Sequence, residues 1–239
     1  MVSDAILITC EHGGNRIPAP YRPLFRARRA LLESHRGYDP GALQMARDLA
    51  GAFGAPLVAS ITSRLLIDLN RSPGHPKLYS DAIRALPAQA RREIATRHYR
   101  PYRAEVERRI GSAVATGRRA IHLSCHSFTP ELHGEVRRAD IGLLYDPARR
   151  GEVELCGRWK RLLEMVLPGL EVRRNYPYAG KNDGLTTALR RSFEPSVYVG
   201  VEIEINQRHV FGDASTWRAL RAAVVESARL MVAESERPC

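Results

Sequence analysis

The side chains best suited to chemistry stand at the ends of apolar runs. "LITCEHGGNRIP" brings Glu11, His12, two glycines and Asn15 directly after Leu7 and Ile8, and "IHLSCHSF" does the same with His126. Two neutral imidazoles, one carboxylate and a place for water make a hydrolytic zinc site. A lone histidine is as readily a hydrogen-bonded structural residue, and that role fits His122 in the middle of its run. On these grounds the third ligand stays open. Glu11 neighbours His12 but points away from it for as long as a strand lasts. Asp39, in "HRGYDPGA", is placed to cap a helix, and the Arg-rich surroundings of His35 favour the surface. Cys125 and His126 fall on opposite faces of a strand, so no Cys–His nucleophile pair is expected. The glycines after His12 allow backbone and substrate to approach closely.

Glu202 and Glu204 share one face of another apolar run, where unpartnered carboxylates are costly. Either a salt bridge to arginine satisfies them, or one is a general base with an adjusted pKa. Glu204 lies nearer the run's carboxyl end and is the preferred base. "SRLLIDLNRS" gathers Arg64, Asp68, Asn70 and Arg71. An arginine fork with a neutral amide donor suits recognition of a carboxylate. The plainer alternative is a surface turn in which Asp68 neutralises an arginine. "NYPYAGKNDGLTTALR", with Tyr178, Gly180, Lys181, Asp183 and Thr186, reads as a lid or as an ordinary loop before a helix.

These residues need a frame. Runs at 5–10, 56–61, 64–69, 119–125, 140–145 and 197–205 read as strands, most of them apolar enough to be buried on both faces. Helical stripes alternate with them. One begins at "DPGALQMARDLAGAF", with Asp39 as N-cap, Pro40 at the first helical position, and Leu43, Ala46, Leu49, Ala50 and Phe53 on one side. A second covers "PAQARREIATRHYR". Pro101 ends it and opens a third, with Tyr102, Val106, Ile110 and Val114 aligned, and a final helix covers roughly 214–234. This alternation implies an α/β three-layer sandwich around a mixed, mostly parallel sheet. Ligands bind beyond the carboxyl ends of strands in such sheets, where His12, Asn70–Arg71, His126 and Glu204 would all stand. No repeat or linker divides the chain, so a single domain over 1–239 is expected.

The 239 residues are 44% hydrophobic, enough for a substantial core without staples. No run approaches the roughly 18 apolar residues of a membrane span. "MVSDAILITC" lacks the pattern of a secretory signal, so a cytoplasmic protein is expected, with Cys10, Cys125, Cys156 and Cys239 as free thiols. The net charge of +11 comes from 37 Lys and Arg against 26 Asp and Glu. The arginines are spread over helical stretches without interleaved aromatics, which points first to a solvated surface, then to a small acidic ligand, and last to nucleic acid. Two rival readings are a basic nucleic-acid-binding module and a non-catalytic scaffold that binds an acidic metabolite.

Six segments carry a resemblance. "ITCEHGGNRIP", "HRGYDPGA", "SRLLIDLNRS", "HSFTP", "NYPYAGKNDGLTTALR" and "VEIEINQ", in this order, resemble the N-formylglutamate amidohydrolase family from about Ile6 to Gln207. That family is similar in fold to zinc carboxypeptidases and aspartoacylases. The resemblance implies metal-dependent hydrolysis of a linear amide on an acidic amino acid, N-formyl-L-glutamate or similar. It implies zinc as cofactor, His12 and His126 as ligands, Glu204 as general base and Arg64 as the group that polarises the scissile carbonyl. Asn70 and Arg71 would hold the substrate carboxylate, with Tyr178 a further substrate-binding residue. The related peptidases have a His-x-x-Glu ligand pair, whereas Asn15 stands at that spacing here. A carboxylate from elsewhere must complete the site, and Asp39 is the expected one. "EHGG" also departs from a "PHSG"-like opening, which marks a branch with a different substrate preference.

Overall fold

Eight strands and nine α-helices, with a 3-10 helix over Ala19–Arg28 and a π-helical turn over Ala95–Tyr99, are formed over residues 4–235, the part that the computed structural model describes, with side chains to residue 233. The strands are β1 (Ala5–Cys10), β2 (Leu57–Ala59), β3 (Ala120–Phe128), β4 (Glu131–Leu132), β5 (Glu135–Val136), β6 (Ile141–Leu144), β7 (Val172–Arg174) and β8 (Tyr198–Asn206). The helices are α1 (Arg29–Glu33), α2 (Ala42–Phe53), α3 (Asp81–Arg84), α4 (Ala88–Ile94), α5 (Arg100–Ala115), α6 (Arg150–Val166), α7 (Leu185–Ser192), α8 (Gln207–Val210) and α9 (Ala214–Ser235). Six strands make one sheet in the order β2-β1-β3-β8-β6-β7, with every pairing parallel except that of β6 with β8. β4 and β5 form a separate small hairpin.

The two faces of the sheet differ in chemistry. Ile8, Cys10, Ile121, Leu123, Cys125, Val201 and Ile203 pack on one face against α2, α6 and α9, whose stripes include Ala46, Leu49, Trp159, Leu163, Leu220 and Val224. The other face starts apolar at Leu7, Ala120 and Tyr198 under α5 and α7. It then turns polar, since alternate residues of β3 and β8 are His122, Ser124, His126, Glu202 and Glu204, all buried. Period-two alternation thus separates a dry core from a polar strip that runs toward the carboxyl ends. Helices on both faces give the three layers expected from the sequence.

Three expectations are corrected. Residues 64–69 form turns, not a strand. Leu65, Leu66, Ile67 and Leu69 are buried, but no ladder joins the segment to the sheet: Leu66 N–H donates to Ser63, Arg64 N–H to Gly37 and Asp68 N–H to Leu78. An apolar run shows burial without choosing a backbone conformation. Asp39 is not the cap of α2; the N-cap is Gly41 at φ 80°, and the Asp39 side chain is turned toward the two histidines. Pro101 does not separate two helices, because a π-helical turn over Ala95–Tyr99 carries the chain from α4 into α5 and accommodates the missing N–H.

Other strands are shifted by a few residues, and β3 extends through His126 to Phe128. Gly14 admits backbone, not substrate: a Cβ there would lie 2.7 Å from the Ile61 carbonyl oxygen. Cys10, Cys125 and Cys156 are free and buried, and Cys239 lies outside the described residues. No helix among the described residues is long and apolar enough to cross a membrane.

Candidate active site

Strand register assembles the site. His126 of β3 is paired with Glu204 of β8, and Gly142 of β6 sits opposite Glu204 on its other side. β1 ends at Cys10, so the strict alternation of a strand ends there too, and both Glu11 and His12 turn onto the polar strip. The Asp39 N–H donates to the His12 carbonyl at 2.9 Å, which ties the segment before α2 to the end of β1.

His12, Asp39 and His126 are all buried, and each offers a ligand atom within 4.8 Å of the others. Asp39 Oδ2 lies 2.9 Å from His126 Nδ1 and 3.3 Å from His12 Nδ1. The opposite nitrogens face other carboxylates. His12 Nε2 is 2.7 Å from Asp68 Oδ1, and His126 Nε2 is 2.9 Å from Glu11 Oε2. Each ring thus has a carboxylate at both nitrogens, with Asp39 between the two Nδ1 atoms and Asp68 or Glu11 on the far side.

Charges follow from these contacts. Burial opposes ionisation of Glu11, but the hydrogen bond and charge of His126, with Ser124 and Tyr102 as further donors, hold its pKa well below the usual range. His12, His126 and Arg64 do the same for Asp39 against the same penalty. Asp39 and Glu11 in turn raise His126 despite its burial. Glu204 behaves oppositely. Burial, with the charges of Asp39 and Glu202 added and those of His126 and Arg64 opposed, pushes its pKa up to about 8. Its Oε2 is buried without a hydrogen-bond partner. A buried carboxyl near neutral pKa with a free oxygen has the properties of a general base.

The remaining expected residues are placed as follows. Arg64 donates to Asp68 Oδ2 through Nη2 at 2.7 Å and Nε at 3.1 Å, and reaches Asp39 Oδ1 at 3.4 Å; a quarter of its side chain is exposed. Asn70 Nδ2 is 3.5 Å from His126 Nε2, and its Oδ1 accepts the Leu185 N–H at 2.6 Å. Arg71 donates from Nη1 to the Asp183 carbonyl at 2.7 Å, while its Nε is buried without a partner. Glu202 is satisfied by the Thr186 hydroxyl at 2.6 Å, not by an arginine. His35 is exposed, outside the ligand group.

The 175–184 segment is cross-braced. Asn175 Oδ1 accepts from the N–H groups of Tyr145 and Gly180, Arg190 Nη1 donates to the Gly180 carbonyl, and Asp183 Oδ2 accepts from the Ser72 N–H. Tyr178, 43% exposed, stands on this segment with its hydroxyl 3.2 Å from Arg137 Nη1.

Sequence reasoning passed over Glu11 and Asp68 as partners of the histidines. The end of β1 was the missing signal for Glu11. Asp68 does pair with Arg64 as expected, but only through Oδ2, and its other oxygen was free for His12. Arg137 carried no signal in the sequence at all.

A covered mixed sheet with a buried imidazole–carboxylate cluster at its carboxyl ends defines an α/β protein equipped for hydrolysis. Comparison with known proteins narrows this. The model of the N-formylglutamate amidohydrolase family matches residues 4–211, and the chain belongs to that family of hydrolases. Among solved structures it is similar to gene product Atu2144 from Agrobacterium tumefaciens, at 30% identity and a TM-score of 0.84 over 98% of this chain and 92% of that one. An N-formylglutamate amidohydrolase from Ralstonia eutropha JMP134 shares the fold at 21% identity and a TM-score of 0.67, covering 97% of this chain and 95% of its own. An N-acetylmuramoyl-L-alanine amidase from Clostridium difficile 630 shares it at 15% identity and a TM-score of 0.50, covering 99% and 100%. No curated protein matches the sequence.

Proposed function

We propose that the chain is a zinc-dependent amidohydrolase that cleaves a linear amide of an acidic amino acid, N-formyl-L-glutamate or a close relative. The observation that carries this reading is the convergence of His12, Asp39 and His126 ligand atoms within 4.8 Å, beside a buried Glu204 oxygen that has no partner. The donor set fits the ion. Two imidazoles and one carboxylate suit zinc, and both rings have their far nitrogens held by carboxylates, as ligating histidines do.

When bound, zinc supplies Lewis-acid chemistry, acidifying water and polarising a carbonyl. The chain's own residues do the rest. Glu204 takes the proton from the attacking water and passes it to the leaving amine, its Oε2 being free of other partners. Arg64, cationic and partly exposed beside Asp39, offers charge to the carbonyl oxygen as it becomes anionic; a donor in that role is typically worth about 3 kcal/mol. Asn70 and Arg71 receive a substrate carboxylate, and Tyr178 closes the site's outer edge.

The test is release of formate from N-formyl-L-glutamate by protein stripped with a chelator and then reloaded. Loss on stripping and recovery with zinc are expected. Full turnover by metal-free protein removes the metal role, and no turnover of any N-formyl amino acid by zinc-loaded protein removes the hydrolase reading.

A further inference from the structure

Arg137 is a buried cation whose charge nothing in the described fold neutralises. It is 8% exposed, and its side-chain partner is the Tyr178 hydroxyl at 3.2 Å, with the Tyr178 ring 5.2 Å from the guanidinium carbon. No carboxylate among the described residues forms an ion pair with it; Glu135, two residues away, is exposed on β5, and Asp140 is engaged by Arg208 and His209. The fold's other well-buried arginines are satisfied internally: Arg190 pairs with Glu152, and Arg149 donates to three backbone carbonyls. None of its nitrogens is buried without a partner, so the guanidinium keeps its polar contacts while its charge stays available to an anion.

The backbone fixes where this charge stands. The Arg137 N–H donates to the Pro130 carbonyl at 2.7 Å, and its own carbonyl accepts from Asn206 Nδ2 at 2.9 Å. Pro130 lies just beyond the end of β3, which carries His126, and Asn206 ends β8, which carries Glu204. Arg137 is therefore pinned across the carboxyl ends of the two catalytic strands. His35 senses the same region: burial, then Arg36, Arg64 and Arg137, lower its pKa, while Asp39 raises it. Arg64 and Arg137 thus both act on His35, which lies on the segment that leads to Asp39.

We propose that Arg137, covered by Tyr178, is the receptor for a second carboxylate of the substrate, and so selects a dianionic acyl amino acid over a neutral side-chain isostere. This rests on the hydrolase reading above and deepens it. Asn70 and Arg71 take one carboxylate beside His126, and Arg137 and Tyr178 take the other at the outer edge. A planar fork with an adjacent phenol is suited to a carboxylate, and lysine would keep the charge but lose the fork.

The experiment has two arms, both on zinc-loaded full-length protein. In the first, KM and kcat for N-formyl-L-glutamate and N-formyl-L-glutamine are compared in wild type, Arg137→Gln, Arg137→Lys and Tyr178→Phe. The proposal expects Arg137→Gln to raise KM for the glutamate compound about 10–100-fold, to change kcat little, and to leave the glutamine compound within about twofold. Lysine should restore part of the loss. In the second arm, calorimetry measures binding of glutarate, a dicarboxylate, against its monoamide, which requires no turnover. Wild type should prefer glutarate, and Arg137→Gln should abolish the preference.

Hydrolysis with unchanged discrimination in Arg137→Gln overturns the role of Arg137 and leaves the hydrolase reading intact. Preference for glutarate lost in Arg137→Gln, without turnover of any formyl compound by wild type, keeps Arg137 and overturns the hydrolase reading. If Arg137→Gln does not fold, Arg137→Lys and Tyr178→Phe carry the test, and unchanged discrimination in both overturns the proposal.

Discussion

At the proposed metal site, Glu11 and Asp68 would act without touching the ion. Each is buried, and each faces the Nε2 of a histidine whose Nδ1 points at Asp39. An anion there fixes the ring and makes it a better ligand, and loss of such a partner typically costs about 10–100-fold in metal affinity. Glu11→Gln keeps shape and hydrogen-bonding capacity but removes the charge. Its zinc Kd, measured by competition with a chromophoric chelator, should rise by about that factor, with Asp68→Asn behaving alike. A wild-type Kd in Glu11→Gln would show that the ring needs no anionic support. The two histidines themselves were legible in the sequence because they end apolar runs. Their supporting carboxylates were not, because side-chain direction at a strand end depends on where the ladder stops, and composition does not reveal that residue.

Elements place these groups through register. The pairing of Ser124 with Glu202 and His126 with Glu204 keeps four polar side chains on one face, and a slip of one residue would send them into the dry core. Gly142 completes the row. A Cβ on Gly142 would lie 1.8 Å from the Tyr176 carbonyl oxygen and 3.3 Å from the Cβ of Glu204, so the strand next to the proposed base must be bare for the 175–184 segment to cross it. Gly142→Ala should therefore destabilise by about 1–3 kcal/mol in urea unfolding, as overpacking does. Unchanged stability would mean that the segment has slack. Much of this layer was readable. Runs buried on both faces announced β1, β3, β6 and β8, whereas "VRR" in β7 carries two arginines on an edge and gives no apolar signal. The run at 64–69 misled for the converse reason, since its leucines are buried by packing without joining the sheet. Helix α6 has a stripe of Leu155, Cys156, Trp159, Leu162 and Leu163, so a signal for it stood in the sequence, though the expected elements did not include it.

The whole molecule carries a pH dependence written into its polar strip. His122 is fully buried between the Thr9 and Tyr198 hydroxyls, at 2.9 Å from each, and burial holds its pKa down to about 4 from the usual 6.5. Between those values the unfolded chain takes up a proton that the folded chain refuses, so stability is complete above about 6.5 and falls as the pH drops toward 4. Glu204 works in the other direction. Its raised pKa means that the folded state holds a proton the unfolded chain has lost, and stability falls as the pH rises from 4.5 to about 8. The two slopes oppose each other in the metal-free protein through the range between 4.5 and 6.5, and a wild-type profile alone cannot separate them. Removing one does. In His122→Asn the titrating ring is gone while donor and acceptor capacity remain, so urea unfolding at pH 7 and pH 5 should lose the histidine's share of the difference, about 2 kcal/mol. The variant is expected to be less stable than wild type at pH 7 through imperfect packing, and to close the gap at pH 5. Parallel profiles for variant and wild type across that range would mean that His122 takes up its proton in the fold as readily as in the unfolded chain, so that burial does not hold its pKa down.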